Sequence, residues 1–233
     1  MSFTESIQNF WLHSDSVGQA LFGVLLAMSA TSWFFIAAKS GQAFLQRRRS
    51  AGFLKIFWGA PSLAEVTTHL QQTLPSEPFA NLAAQAINAV NHHALHGPER
   101  LNEAGAAGEF LTRTLRRALD EETARLEWGL TTLASIASTA PFIGLFGTVW
   151  GVYHALQAIG TGGLASLDQI AGPVGEALIM TGLGLAVAIP AVLAYNDCAR
   201  SNRVLLDKLD GFAHDLFAFL TTGAAVPGNK GAH

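Results

Sequence analysis

The sequence predicts an all-α membrane protein with three transmembrane helices, two of them long and extending into a helical cytoplasmic domain. Three observations carry that expectation. Half of the 233 residues are hydrophobic and only 13% are charged, against about 25% charged in soluble domains. The charges are excluded altogether from three stretches, 16–38, 128–167 and 177–196, and each is long enough for one span of about 20 apolar residues. Between and after these stretches the apolar residues recur with a helical period, and nothing alternates as a strand would.

Residues 1–15 contain no Lys or Arg, so the basic start of a cleavable signal is missing. Phe3, Ile7, Phe10 and Trp11 fall on one helical face, which predicts an amphipathic helix lying at the membrane interface. The first span, 16–39, then acts as an uncleaved anchor. A cytoplasmic helical domain follows over 40–126. In it "SLAEVTTHLQQTL" and "FANLAAQAINAVNHHALH" read as helices separated by the breakers Pro75 and Pro78. The stretch "GEFLTRTLRRALDEETARLE" sets Arg116 with Asp120, Arg117 with Glu121, and Glu121 with Arg125 at i,i+4 spacing. It runs on into the second span, 127–158, with no breaker before Pro141, which predicts one long helix. A loop over 159–171 leads to the third span, 172–197. Residues 198–233 continue it as a helix with an apolar stripe of Val204, Leu205, Leu209, Phe212 and Leu216, ending in the disordered tail "GAAVPGNKGAH".

Every Lys and Arg lies either between Lys39 and Arg125 or from Arg200 onward. The positive-inside rule puts those segments in the cytoplasm. The N-terminus and the loop 159–171 are then periplasmic, and the C-terminus is cytoplasmic.

Several chemistries are excluded. A net charge of −3 and the lack of a basic stripe argue against a nucleic-acid partner. The single cysteine, Cys198, allows neither an intramolecular disulfide nor a CxxC site. His92 and His96 stand at metal-binding spacing beside His93, but no cysteine accompanies them and Glu99 follows a Gly-Pro break, so no metal is expected. Ser135 and Ser138 sit in no nucleophile-elbow turn, and Ser138 is about 24 Å along the helix from His154. "GLFGTVWG" lacks the Lys-Ser/Thr of a phosphate loop. No catalytic residue and no cofactor is predicted.

What remains is a hairpin of unusual content. Gly144, Gly147 and Gly151 give the second span small residues at the spacing that lets membrane helices approach closely. Counting outward from the middle of the outer loop, Thr148 and Thr181 fall at the same depth. Glu176 stands on the third span, roughly 7–8 Å nearer the outer side than Thr181. The residues alone leave its role open. It is either an interfacial carboxylate at a helix start or an intramembrane carboxylate of the kind that marks a proton pathway.

The stretches "APFIGLFGTVWGVYHAL" and "AGPVGEALIMTGLGLAVAIPAVLAYN" resemble the MotA/TolQ/ExbB proton-channel family, most densely over 128–200 and most closely its ExbB branch. Three spans argue against the four-span MotA stators. The resemblance implies an inner-membrane, ring-forming subunit, a homo-pentamer surrounded by lipid. Helices of a single-span ExbD-like protein would fill its pore, and a TonB-like protein would be driven by proton flow. It also implies that Glu176, Thr148 and Thr181 line that pore, while the main proton-carrying Asp belongs to the partner. A TolQ-like subunit of the Tol-Pal system and a non-conducting membrane scaffold are the alternatives.

Overall fold

A computed structural model describes residues 16–60, 63–72, 77–96, 106–162 and 167–223. Among the described residues the helices are α1 (Ser16–Gly59), α2 (Leu63–Gln72), α3 (Pro78–His96), α4 (Ala106–Glu127), α5 (Leu130–Gly162) and α6 (Leu167–Thr222). Three stretches, in α1, α5 and α6, are long and apolar enough to cross a membrane. The expected interfacial helix over 1–15 and the tail over 224–233 lie outside the described residues, as does Pro75. The chain forms two compact units. One holds the described residues up to Lys39 together with Gly129–Cys198, and the other holds Ser40–Trp128 with the residues from Ala199 on. Both α1 and α6 contribute to each.

The first unit is built from the three apolar helices. Phe22 and Leu25 of α1, Leu133 and Ile136 of α5, and Met180 and Ala191 of α6 share one buried cluster. The opposite faces leave Trp33, Phe34, Phe142, Leu145 and Leu193 exposed. An apolar surface of that extent is a liability in water and the normal exterior of a helix in lipid. Pro141 does not end α5, which runs through it to Gly162. Proline removes the amide that would serve Ala137, and membrane helices tolerate it where neighbouring groups re-satisfy the backbone. Just before it, Ser138 Oγ and Thr139 Oγ1 donate to Ser135 O at 3.0 and 2.7 Å.

The single long helix expected across 126–130 is interrupted. Trp128 and Gly129 form a turn, and Gly129 has φ +79°, a conformation that costs other residues dearly. A Cβ on Gly129 would lie 2.5 Å from ring carbons of Phe35. The helix restarts with Leu133 N–H donating to Gly129 O at 3.1 Å. In the second unit, Asn202 Nδ2 donates to Leu126 O at 2.7 Å, satisfying a carbonyl left by the end of α4.

The second unit packs the rest of α1, α2, α3, α4 and the end of α6 around Leu82, Leu209 and Leu216. The ring of Phe212 stands edge-on to Phe57 and Phe79, with centroids 5.1 and 5.5 Å apart. The α6 stripe is therefore Leu205, Leu209, Phe212, Ala213 and Leu216. Val204, expected in it, is exposed. Of the expected ion pairs, Arg117–Glu121 forms at 3.0 Å. Arg125 instead meets Glu122 at i,i+3, 3.2 Å away, and no ion pair joins Arg116 to Asp120. Pro78 does not break a helix but opens one, at the position where its missing N–H is harmless.

Immediately before Pro78, Glu77 is buried. Its Oε1 accepts the Ala80 N–H at 2.6 Å, which caps α3, and its Oε2 accepts the Ser50 hydroxyl of α1 at 2.7 Å. Asn81 Nδ2 bridges to Glu122 Oε1 of α4 at 2.5 Å. Burial raises the pKa of Glu77 above the ordinary carboxylate value, against the opposing pull of the Ser50 bond.

Two outcomes follow for stability. The Glu77 contribution is complete below the ordinary carboxylate pKa of about 4.3 and is lost as pH rises through its raised value. Thermal melts of the detergent-solubilised protein from acid to neutral pH should therefore show a decline that Glu77→Gln flattens. An identical decline in the variant refutes the assignment. Gly129→Ala should destabilise the fold by at least about 1 kcal/mol, read from the same melts.

Candidate functional site

α5 and α6 are antiparallel, because Gly144, Thr148 and Gly151 meet Gly184, Thr181 and Ala177 in reversed order. The approach is as close as backbones allow. A Cβ added to Gly144 would lie 2.7 Å from Met180 O and 3.1 Å from Gly184 Cα. One added to Gly184 would lie 2.7 Å from Ala140 O and 3.0 Å from Gly144 Cα. A Cβ on Gly147 would meet Met180 at 3.1 Å, and one on Gly151 would meet Ala177 Cβ at 2.8 Å. All three sequence-predicted glycines thus face α6. Their small partners on α6, Ala177 and Gly184, and Ala140 of α5, which meets Gly184, were not singled out from sequence, because a small residue in an apolar run carries no sign of which helix it will touch.

Into this close contact the two spans place one hydroxyl each. Thr148 Oγ1 and Thr181 Oγ1 are hydrogen-bonded to one another, and either can be the donor. Thr148 Oγ1 also lies 3.2 Å from Gly144 O and 3.1 Å from Ala177 O, and Thr181 Oγ1 lies 3.4 Å from the same Gly144 O. The absence of side chains at Gly144 and Gly184 is what brings these carbonyls and hydroxyls into range. The pair is partly buried, as an intramembrane hydroxyl needs if its donor is to find a partner.

The structure brings Thr148 and Thr181 together. It places Glu176 as a helical residue of α6, one turn before Met180, and the Glu176 side chain lies outside the described residues. Other groups considered from sequence are engaged locally. Ser138 bonds its own helix. His154 Nδ1 lies 3.2 Å from Trp150 O, with the two rings 4.6 Å apart. His92 and His93 lie against Phe110 with centroids 6.3 Å away, and the His96 side chain lies outside the described residues. Among the described residues no three His, Cys, Asp or Glu gather where a metal could be held. Sequence reading missed the polar set of Ser50, Glu77, Asn81 and Glu122, whose members are up to 72 residues apart, from Ser50 to Glu122, and share no local pattern.

Gly144→Ala or Gly184→Ala should force the helices apart and cost about 1–3 kcal/mol of hairpin stability. Gly182→Ala, on the same helix with nothing within 4 Å of the added atom, should change it by less than about 0.5 kcal/mol. Equal effects in reversible unfolding from bicelles count against the close contact. Thr148→Val should cost about 0.6 kcal/mol, the usual size for an interhelical hydrogen bond in a membrane.

Comparison with known proteins agrees with this architecture. Residues 75–211 match the model of the MotA/TolQ/ExbB proton channel family. The chain is 43% identical over 204 residues to the biopolymer transport protein ExbB of Xanthomonas campestris pv. campestris, covering 87% of this chain and 81% of that protein. It is 38% identical over 202 residues to the ExbB of Neisseria gonorrhoeae, covering 87% and 91%. The Tol-Pal system protein TolQ of Pseudomonas aeruginosa is 31% identical over 213 residues, covering 89% of each chain. With more than half of its length matched by the family model and these relatives aligned over most of theirs, the chain belongs to the MotA/TolQ/ExbB proton channel family.

Proposed function

We propose that the protein is the ring-forming subunit of an inner-membrane, proton-driven motor of the ExbB type. With an ExbD-like partner it converts proton motive force into work through a TonB-like protein, for uptake across the outer membrane. The observation that carries this reading is the Thr148–Thr181 hydroxyl pair, a polar element set in the apolar hairpin of a proton-channel family member. Membrane crossings at 16–39, 127–158 and 172–197 fit the distribution of charge. The cytoplasmic domain is then 40–126, with 198–233 on the same side. The N-terminus and the loop 159–171 face the periplasm.

Spans two and three of five copies line the pore, and Glu176, Thr148 and Thr181 give it a polar belt. The partner's single-span helices stand inside and carry the main titrating acid. Proton entry down the membrane potential releases about 2.3 kcal/mol per charge per 100 mV, and this drives motion of the central helices. The ExbB assignment is supported by the 43% and 38% relatives. A TolQ-like role is the second reading, because the TolQ proteins match at 31–32% whereas the ExbB of Salmonella typhimurium matches at 28%. Loss of iron–carrier uptake on deletion distinguishes the first reading from loss of envelope integrity, which marks the second.

Glu176→Ala should assemble normally but fail to support energised uptake, and normal uptake by that variant overturns the pore reading. Full activity of Glu176→Gln supports a non-conducting scaffold instead. The Thr148→Val/Thr181→Val pair should be milder than Glu176→Ala, since hydroxyls only solvate or relay. Intact-mass measurement of the detergent-extracted complex should give five copies; a monomer contradicts the ring.

A further inference from the structure

In the second unit, α4 and the end of α6 each turn one face to the core and leave the opposite face outside. On α4, Arg113, Arg116 and Asp120 are exposed and share an arc of about 60° at 100° per residue, away from the buried Leu111, Leu115 and Ala118. On α6, Arg203, Asp207 and Asp210 are exposed and also share an arc of about 60°, away from Leu209, Phe212 and Leu216. From Asp120 back to Arg113 the steps are four and three residues, and the signs run minus, plus, plus. From Arg203 on to Asp210 the steps are the same and the signs run plus, minus, minus. Laid antiparallel, the two faces set an opposite charge at every position. A further step of four brings Glu109 to the exposed His214, an acceptor to a possible donor. Alternating steps of four and three are what keep residues on the seam between two packed helices.

One copy does not use this match. Arg116, Asp120, Arg203, Asp207 and Asp210 enter no ion pair among the described residues. Arg113 pairs with Glu109 of its own helix, with both side chains exposed, an arrangement that contributes little. Within the copy α4 and α6 are already antiparallel, since Asn202 bonds to Leu126 O and a Cβ on Gly108 would lie 3.9 Å from Phe217. That register sets Leu126 beside Asn202. Asp120 is six residues from the first and Arg203 one from the second, so the charges stand five residues, or about 7.5 Å, out of step. A second copy removes the mismatch. Copies about 20 Å apart round a ring, two helix widths, are offset along helices tilted by about 20° by some ~7 Å.

We propose that the outer face of α4 in one copy docks antiparallel on the outer face of α6 in a second copy, Asp120 on Arg203, Arg116 on Asp207 and Arg113 on Asp210. The two faces are different surfaces, so every copy keeps one to offer, and repetition closes into a ring when the rotation allows it. The occupant rests on the ring reading given above; the pairing rests on the charges. Exposed ion pairs add little affinity, but like charges brought together are costly, so such a contact fixes which helices meet and in which register.

The test is disulfide cross-linking in a Cys198→Ser background. A chain carrying Arg116→Cys and a differently tagged chain carrying Asp207→Cys are co-expressed, and the membranes are oxidised. A mixed dimer should form at least about fivefold more readily than with Lys208→Cys in place of Asp207→Cys, because the exposed Lys208 stands about 100° further round α6. Arg116→Asp should lower the assembled fraction at fixed protein concentration at least about threefold, and adding Asp207→Arg to the same chain should restore it. Circular dichroism verifies that both variants fold. Equal cross-linking at the two α6 positions in a complex of five copies overturns this contact and leaves the ring reading standing. Native-like assembly of Arg116→Asp, or no rescue by Asp207→Arg, also overturns it. A native monomer by intact mass overturns the contact and the ring together.

Discussion

In a bilayer no hydrophobic force draws one apolar helix to another, so spanning helices associate through close packing and hydrogen bonds. The contact between Gly144 and Gly184 meets that constraint in the most direct way. Each glycine leaves no room for even a methyl group against the opposite backbone. The gain is dispersion between two helix surfaces with almost nothing between them. The same proximity sets the position of the polar atoms, because Gly144 O comes within reach of hydroxyls from both helices only where the helices touch. The site is thus a product of the packing rather than an addition to it.

The second unit obeys a different constraint. Its core is an ordinary aqueous one, with Phe57, Phe79 and Phe212 at its centre, and the polar groups it buries are paired across elements. Glu77 joins α1 to the start of α3, and Asn81 joins α3 to Glu122 of α4. Removing one partner from such a set leaves the other buried and unsatisfied, which costs more than the bond itself contributes.

Much of this was legible in the sequence because it depends on counts and periods. The three apolar helices follow from where charge is missing. The meeting of Thr148 and Thr181 follows from hairpin symmetry, since a short loop fixes which residues can share a depth. Other features depend on tertiary context and were not legible. Gly129 reads as one more small residue in an apolar run, and only the ring of Phe35 beside it shows why no side chain fits. The continuation of α1 to Gly59 follows a basic segment that, taken alone, marks only the end of a span. Pro78 reads as a breaker until Glu77 is seen capping the helix it opens. Val204 fits the stripe by period yet stands outside the core, which Leu205 and Leu209 of the same helix enter.

The threonine pair has a property that its geometry alone does not advertise. When Thr148 donates to Thr181, the Thr181 proton turns to Gly144 O; when Thr181 donates, the Thr148 proton turns to Gly144 O or Ala177 O. Both protons are bonded in either case, so the pair can invert without stranding a donor. The two arrangements point the local dipole in opposite directions and differ only in the lengths of the outer bonds. Any charge that passes nearby finds a polarity that reorients by rotation of two hydroxyls, with no movement of the helices that carry them.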